Sequence, residues 1–110
     1  MQEIVKLTDF EEQALCHGNI LRLPAQWPYE EYVDFMVFDT QDDERPNGLI
    51  VSSGYKAGLI LVLLPLESSL PEVRGLSTQW VIANWKKWIY PECEVNNVYV
   101  IERYIAKAIL

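Results

Sequence analysis

Gly58-Leu59-Ile60-Leu61-Val62-Leu63-Leu64-Pro65 is the one stretch of the chain that is apolar on both faces a period-2 strand shows, and turn residues bound it at each end. A strand of that kind needs cover on both sides, so it is expected at the centre of a sheet. Leu49, Ile50 and Val51 are its natural neighbours, reached across Ser52-Ser53-Gly54-Tyr55-Lys56-Ala57-Gly58. A glycine-rich connection with a lysine raises the question of phosphate binding. The spacing is not GxxxxGK[ST], and no helical pattern follows whose N-terminus could receive an anion. Gly54 and Gly58 therefore read as turn or bulge residues, and Lys56 as a surface or interface charge.

Upstream, residues 32–39 form the second clear strand. Val33, Phe35 and Val37 share one face, while Tyr32, Asp34, Met36 and Phe38 share the other. Asp34 is the one carboxylate in that pattern, and it must lie near a sheet margin or meet a partner, because an unpaired carboxylate in a dry layer is costly. Residues 20–23 make a short strand stopped by Pro24. In Ala25-Gln26-Trp27-Pro28-Tyr29 both prolines restrict the residue before them, which places Trp27 on a loop or strand margin, either clamping the loop to the core or standing out as an anchor. Residues 41–48, Gln-Asp-Asp-Glu-Arg-Pro-Asn-Gly, are an acidic loop with an Asn-Gly turn signal at its end. Asp39, Asp42, Asp43 and Glu44 do not match the spacing of a calcium loop, so no metal is assigned.

Downstream lies the best helix of the sequence, 77–89. Ser77 is its N-cap, Leu76 and Val81 are placed for a hydrophobic staple, Lys86 and Lys87 fall in the last turns, and Pro91 follows the end. Trp88, Val81, Trp85, Ile89 and Ile82 fall within one arc of about 120°, an apolar stripe that covers a sheet face, whereas Trp80 lies about 80° off it. Trp80 either packs under the 67–75 loop or contacts a partner. The N-terminus reads as a short strand over 3–7. Thr8 and Glu11 then form a capping-box pattern opening a helix over 9–16, with a hairpin about Gly18-Asn19 as the competing reading. His17 is the chain's single histidine and reads as solvent-exposed or turn-bonded. Residues 98–104 make a closing strand.

Taken together, the 110 residues read as one α+β domain, 1–110: an antiparallel meander of about five or six strands with the 77–89 helix packed on one face. Half the residues are apolar, too many for a disordered chain, yet the run 59–64 is far short of a bilayer span. The first residues, Met-Gln-Glu-Ile-Val-Lys-Leu, lack a signal peptide's pattern, so the expected location is cytoplasmic. Cys16 and Cys93 read as small buried thiols, with neither disulfide nor metal indicated. The net charge of −7 is lopsided: residues 1–54 hold eleven acids against Lys6, Arg22 and Arg45, whereas residues 55–110 hold five acids and six bases. Such a field repels nucleic acid and anionic lipid and attracts a basic partner.

Gly18-Asn19-Ile20-Leu21-Arg22-Leu23-Pro24, Trp27-Pro28-Tyr29 running into Tyr32-Val33-Asp34-Phe35-Met36, Gly54-Tyr55-Lys56-Ala57-Gly58, and Trp80 with Asn84-Trp85 and Trp88 together resemble small α+β immunity proteins of bacterial polymorphic-toxin systems. That resemblance implies a cytosolic antitoxin, without catalytic motif or cofactor, that binds a cognate toxin domain, often a nuclease, and blocks it. On this reading Asp34, Asp39, Asp42, Asp43 and Glu44 supply charge, and Trp27, Tyr29 and Trp80 anchor the interface. Two other classes compete with it. One is an enzyme using Asp34 and Asp39 as acid and base, although positions 34 and 39 of a strand point to opposite faces. The other is a structural module that associates through its sheet edge, a homodimer included.

Overall fold

The computed structural model describes residues 4–73 and 75–109. Its strands are β1 (Ile4–Lys6), β2 (Ala14–Leu15), β3 (Ile20–Pro24), β4 (Tyr32–Asp39), β5 (Asn47–Val51), β6 (Ile60–Leu63), β7 (Leu76–Ser77) and β8 (Tyr99–Ile101), with helix α1 (Thr78–Asn84) between the last two. Six of them form one antiparallel sheet in the order β1-β8-β3-β4-β5-β6, and β2 pairs with β7 in a second, two-stranded sheet. The architecture is the expected α+β: a six-stranded antiparallel sheet with one main helix.

The position of β6 corrects the expectation for 58–65. Its strand, Ile60–Leu63, lies at the edge of the sheet and not at its centre and is half-buried at best, and of the stretch only Leu64 beyond the strand is fully buried. β4 takes the centre instead, flanked by β3 and β5. The two readings differ because apolar composition states only that a segment prefers cover. Place in a sheet is settled by which partners compete, and β4, eight residues long, offers two full ladders.

Alternation along β4 works as its residues dictate. Val33, Phe35 and Val37 are buried together with Leu21 and Leu23 of β3, Leu49 and Val51 of β5, and Val81 and Trp85 of the helix. Ser77 caps the helix, its hydroxyl accepting the Trp80 backbone N–H at 3.1 Å, and Leu76 and Val81 at the staple positions are fully buried. After Asn84 the last turn widens to a π turn, Trp85–Ile89, closed by the Tyr90 N–H on the Trp85 carbonyl at 3.1 Å. Trp85 is buried there and donates its indole N–H to the Cys93 carbonyl at 3.0 Å, while Trp88 is only half-buried.

Three local expectations fail for tertiary reasons. The segment 9–16 is not helical: a 3-10 turn, Leu7–Asp9, has no side-chain cap, and the chain then extends so that Ala14 and Leu15 pair with Ser77 and Leu76. The turn near Gly18 exists, with the Asn19 N–H on the Cys16 carbonyl at 3.0 Å, but it joins two different sheets and makes no hairpin. Asn47-Gly48 is not the turn either. Both residues begin β5, where a β-carbon on Gly48 would stand 2.7 Å from the Phe38 ring, so glycine is there to let the ring in. Of the two thiols, Cys93 is buried as expected, but Cys16 is exposed. The closing strand is shorter than expected, and the chain beyond Ile101 leaves the ladder.

Candidate functional site

The residues singled out for partner contact separate onto three parts of the fold. At one end of β4 the loop 40–46 carries Asp42, Asp43 and Glu44, all exposed. It is built rigidly from its own short polar side chains: the Asp39 carboxylate accepts the Gln41 N–H at 2.9 Å, the Thr40 hydroxyl accepts the Asp42 N–H at 3.1 Å and donates to the Arg45 carbonyl, and the Asp42 carboxylate accepts the Glu44 N–H at 2.9 Å. Asp39 is half-buried and helps to hold this loop.

At the other end of β4, about 24 Å away for eight residues of strand, Trp27 stands 91% exposed. Its loop is also tied by hydrogen bonds. The Ala25 N–H bonds the Glu31 carbonyl at 2.9 Å, the Tyr29 N–H bonds the Gln26 carbonyl at 2.9 Å, and the Gln26 N–H reaches the Tyr90 hydroxyl at 3.0 Å. Tyr29 is the clamp: its ring makes edge contacts with Phe35 at 6.1 Å and Tyr90 at 6.0 Å, and burial pushes its hydroxyl above the ordinary pKa. The neighbouring loop brings Tyr55, 94% exposed, to the same end, locked by its N–H on the Glu30 carboxylate at 2.9 Å. Gly54 lies directly under that carboxylate, so close that a β-carbon would overlap it at 2.1 Å. Tyr55 was not among the residues singled out by sequence reasoning, because nothing in its flanks distinguishes an exposed tyrosine from a buried one.

Asp34 is the third case, on the face of the sheet away from α1. It is 3% exposed and fully engaged: Arg22 grips it through Nε at 2.7 Å and Nη2 at 2.9 Å, and the Tyr104 hydroxyl donates to it at 2.6 Å. Arg22 and Asp34 are direct cross-strand partners in the β3–β4 ladder, a pairing that the hairpin register makes inevitable. Tyr104 comes from the chain beyond β8 and also meets the Ser52 hydroxyl at 2.9 Å. Burial alone would raise the Asp34 carboxyl, but the Arg22 and Tyr104 hydrogen bonds outweigh it and hold the pKa below the usual carboxylate range. Burial and the same carboxylate push Tyr104 up to about 12. Asp34 therefore holds three segments together and presents no free charge. Asp39 lies five positions further along, on the opposite face of β4.

Trp80 is half-buried, its ring 5.8 Å from that of Trp88, and both indoles pack against the margin of the core. His17 is exposed, and its Nε2 meets the buried Asn47 side chain at 2.8 Å, which in turn donates to Ser69 at 2.9 Å. An open cleft of about 870 Å³ lies beside it, with Phe10, Val5 and Val100 as apolar lining and Glu12 and Glu102 as acids. Among the described residues no three His, Cys, Asp or Glu side chains are placed to hold a metal ion, and no helix is long and apolar enough to cross a membrane.

Residues 7–100 match the model of a family described as Immunity protein 45. No curated protein and no solved structure matches the chain. The matched span takes in β2 to β7, α1, both exposed loops and the Arg22–Asp34 pair, and stops before Tyr104.

Proposed function

Because this chain belongs to the Immunity protein 45 family, we propose that it neutralises a cognate toxin domain by stoichiometric binding, with no turnover of its own and no cofactor. The observation that carries the reading is the loop 40–46, an acidic tip held in one conformation by its own hydrogen bonds. A preformed negative surface suits a basic partner, such as the phosphate-holding surface of a nuclease, and it raises the association rate more than the final affinity. Asp42, Asp43 and Glu44 supply this field, with Asp39 holding the loop. Trp27 acts as an aromatic anchor, since a rigid loop holds it 91% exposed. An interface of standard size, about 800 Å² per partner, is about 30 Å across, enough for one partner lying along the sheet to touch both ends of β4. Tyr29, Asp34 and Trp80 serve it indirectly: Tyr29 aims the Trp27 loop, Asp34 ties the outer face together, and Trp80 packs with Trp88.

The test is the binding kinetics of this chain with its cognate toxin domain. With Asp42, Asp43 and Glu44 all changed to Lys, association should slow by at least about tenfold at low salt, and the wild-type rate should fall as salt is added. Trp27→Ala should speed dissociation and leave association nearly unchanged. A salt-independent association rate, together with full protection by the charge-reversed loop, would remove the acidic-loop version.

A further inference from the structure

The turn 16–19 joins the two sheets and is tied to the acidic end of β4. The Gly18 N–H bonds the Val37 carbonyl at 2.8 Å, the Val37 N–H bonds the Asn19 carbonyl at 2.9 Å, and His17 meets Asn47, the first residue after loop 40–46, at 2.8 Å. The open cleft of about 870 Å³ that Cys16 and His17 line therefore starts beside the acidic tip. One wall is the extended segment 10–16, whose alternate residues Phe10, Glu12, Ala14 and Cys16 face the cleft. The other wall is the chain around the end of β8, with Val5 and Val100 between the two. The volume lies within the range of pockets that take whole ligands, about 300–1,000 Å³, so there is room for several side chains. Charge in it is one-sided. Glu12 is exposed, with Asp9 and Glu11 exposed beside it, and no Lys or Arg stands between Lys6 and Arg22. Arg103, the base among the lining residues, is paired with Glu102.

We propose that this cleft receives a loop of the toxin domain in which a Lys or Arg stands among apolar residues. The aliphatic stem packs on Val5 and Phe10, and the cationic head reaches Glu12. A basic partner drawn to the acidic tip approaches the same end of β4 and covers the cleft in the same step. A second copy of this chain, with its net charge of −7, and a nucleic acid are both repelled from it. The inference rests on the antitoxin reading and adds to the acidic tip a concave contact that the tip does not supply.

The two thiols provide the test. Cys16 is exposed and lines the cleft, whereas Cys93 is buried and burial pushes its thiol up. Iodoacetamide near neutral pH, with the alkylated peptides identified by mass spectrometry, should label Cys16 in the free chain and leave Cys93 nearly untouched. In the complex with the cognate toxin domain the labelling of Cys16 should be lost. Glu12→Lys, with circular dichroism to verify the fold, should weaken the complex by about tenfold, an ion pair being replaced by a repulsion, and Glu12→Gln should fall between it and wild type. A complex in which Cys16 is labelled as fast as in the free chain, or one that Glu12→Lys leaves equally tight, would overturn the cleft contact and leave the antitoxin reading standing. Absence of any complex would overturn both.

Discussion

On the inner face of β4, Val33, Phe35 and Val37 lie in a dry layer between the neighbouring strands and the helix; on the outer face, alternate residues of the same strand hold an ion pair, with Asp34 gripped by Arg22 and Tyr104. The inner layer is held by contact area and shape, which no change of pH alters. The outer layer is held by a charge whose burial is tolerable only while its partners stay. The comparison shows one strand fastening the helix side by packing and the last residues of the chain by electrostatics.

The sharpest way to break the inner side is Phe35→Ala. The ring is fully buried and touches Tyr29 and Tyr90 edge-on, so its loss should destabilise by about 3–5 kcal/mol, equally at neutral and mildly acidic pH. Urea titration at both pH values measures this. A cost that depends on pH would mean the two faces are coupled.

Asp34→Asn is the corresponding cut on the outer side. It removes the charge and replaces one of the two acceptor oxygens that Arg22 and Tyr104 share by a donor, but the Arg22 side chain is 44% exposed and water can replace part of the loss, so about 1–3 kcal/mol is expected. This effect should depend on pH. The folded pKa of Asp34 lies below its unfolded value of about 4. The linked stability is therefore present above pH 4 and lost as pH falls through the folded value, and the gap between wild type and variant should close there. A gap that stays constant down to pH 2 would contradict the charge-held outer face.

Tyr104→Phe removes one hydroxyl and should cost about 1 kcal/mol at neutral pH. Its sign is opposite on the alkaline side: the folded pKa of about 12 exceeds the ordinary value, so the linked stability is present below pH 10 and lost as pH rises toward 12. Wild type should lose stability more steeply than the variant across that window, which alkaline unfolding followed by fluorescence can read. The smallest effect belongs to the acidic tip. Glu44→Lys should shift stability by less than about 0.5 kcal/mol, its side chain being exposed, and Asp42→Lys, which removes the carboxylate that accepts the Glu44 N–H, by about 1 kcal/mol at most. A larger loss would place them in the fold and not in recognition.

Much of this was legible in local pattern. The bounds of β4, the Ser77 cap, the burial of Val81 and Trp85 and the α+β class all follow from periodicities of two and 3.6 residues and from capping chemistry, which act between near neighbours in the chain. The acidic tip was legible too, because no core can take in Asp42, Asp43 and Glu44. What the sequence alone left undecided was long-range choice. Only tertiary pairing placed β8 between β1 and β3, drew 14–15 into a strand against 76–77, brought Tyr104 to Asp34 and moved β6 from the expected centre to the rim. Apolar composition gives a segment's preference for cover, whereas the choice of neighbour depends on every other strand competing for the same ladder, and that competition is settled only when the whole chain has packed.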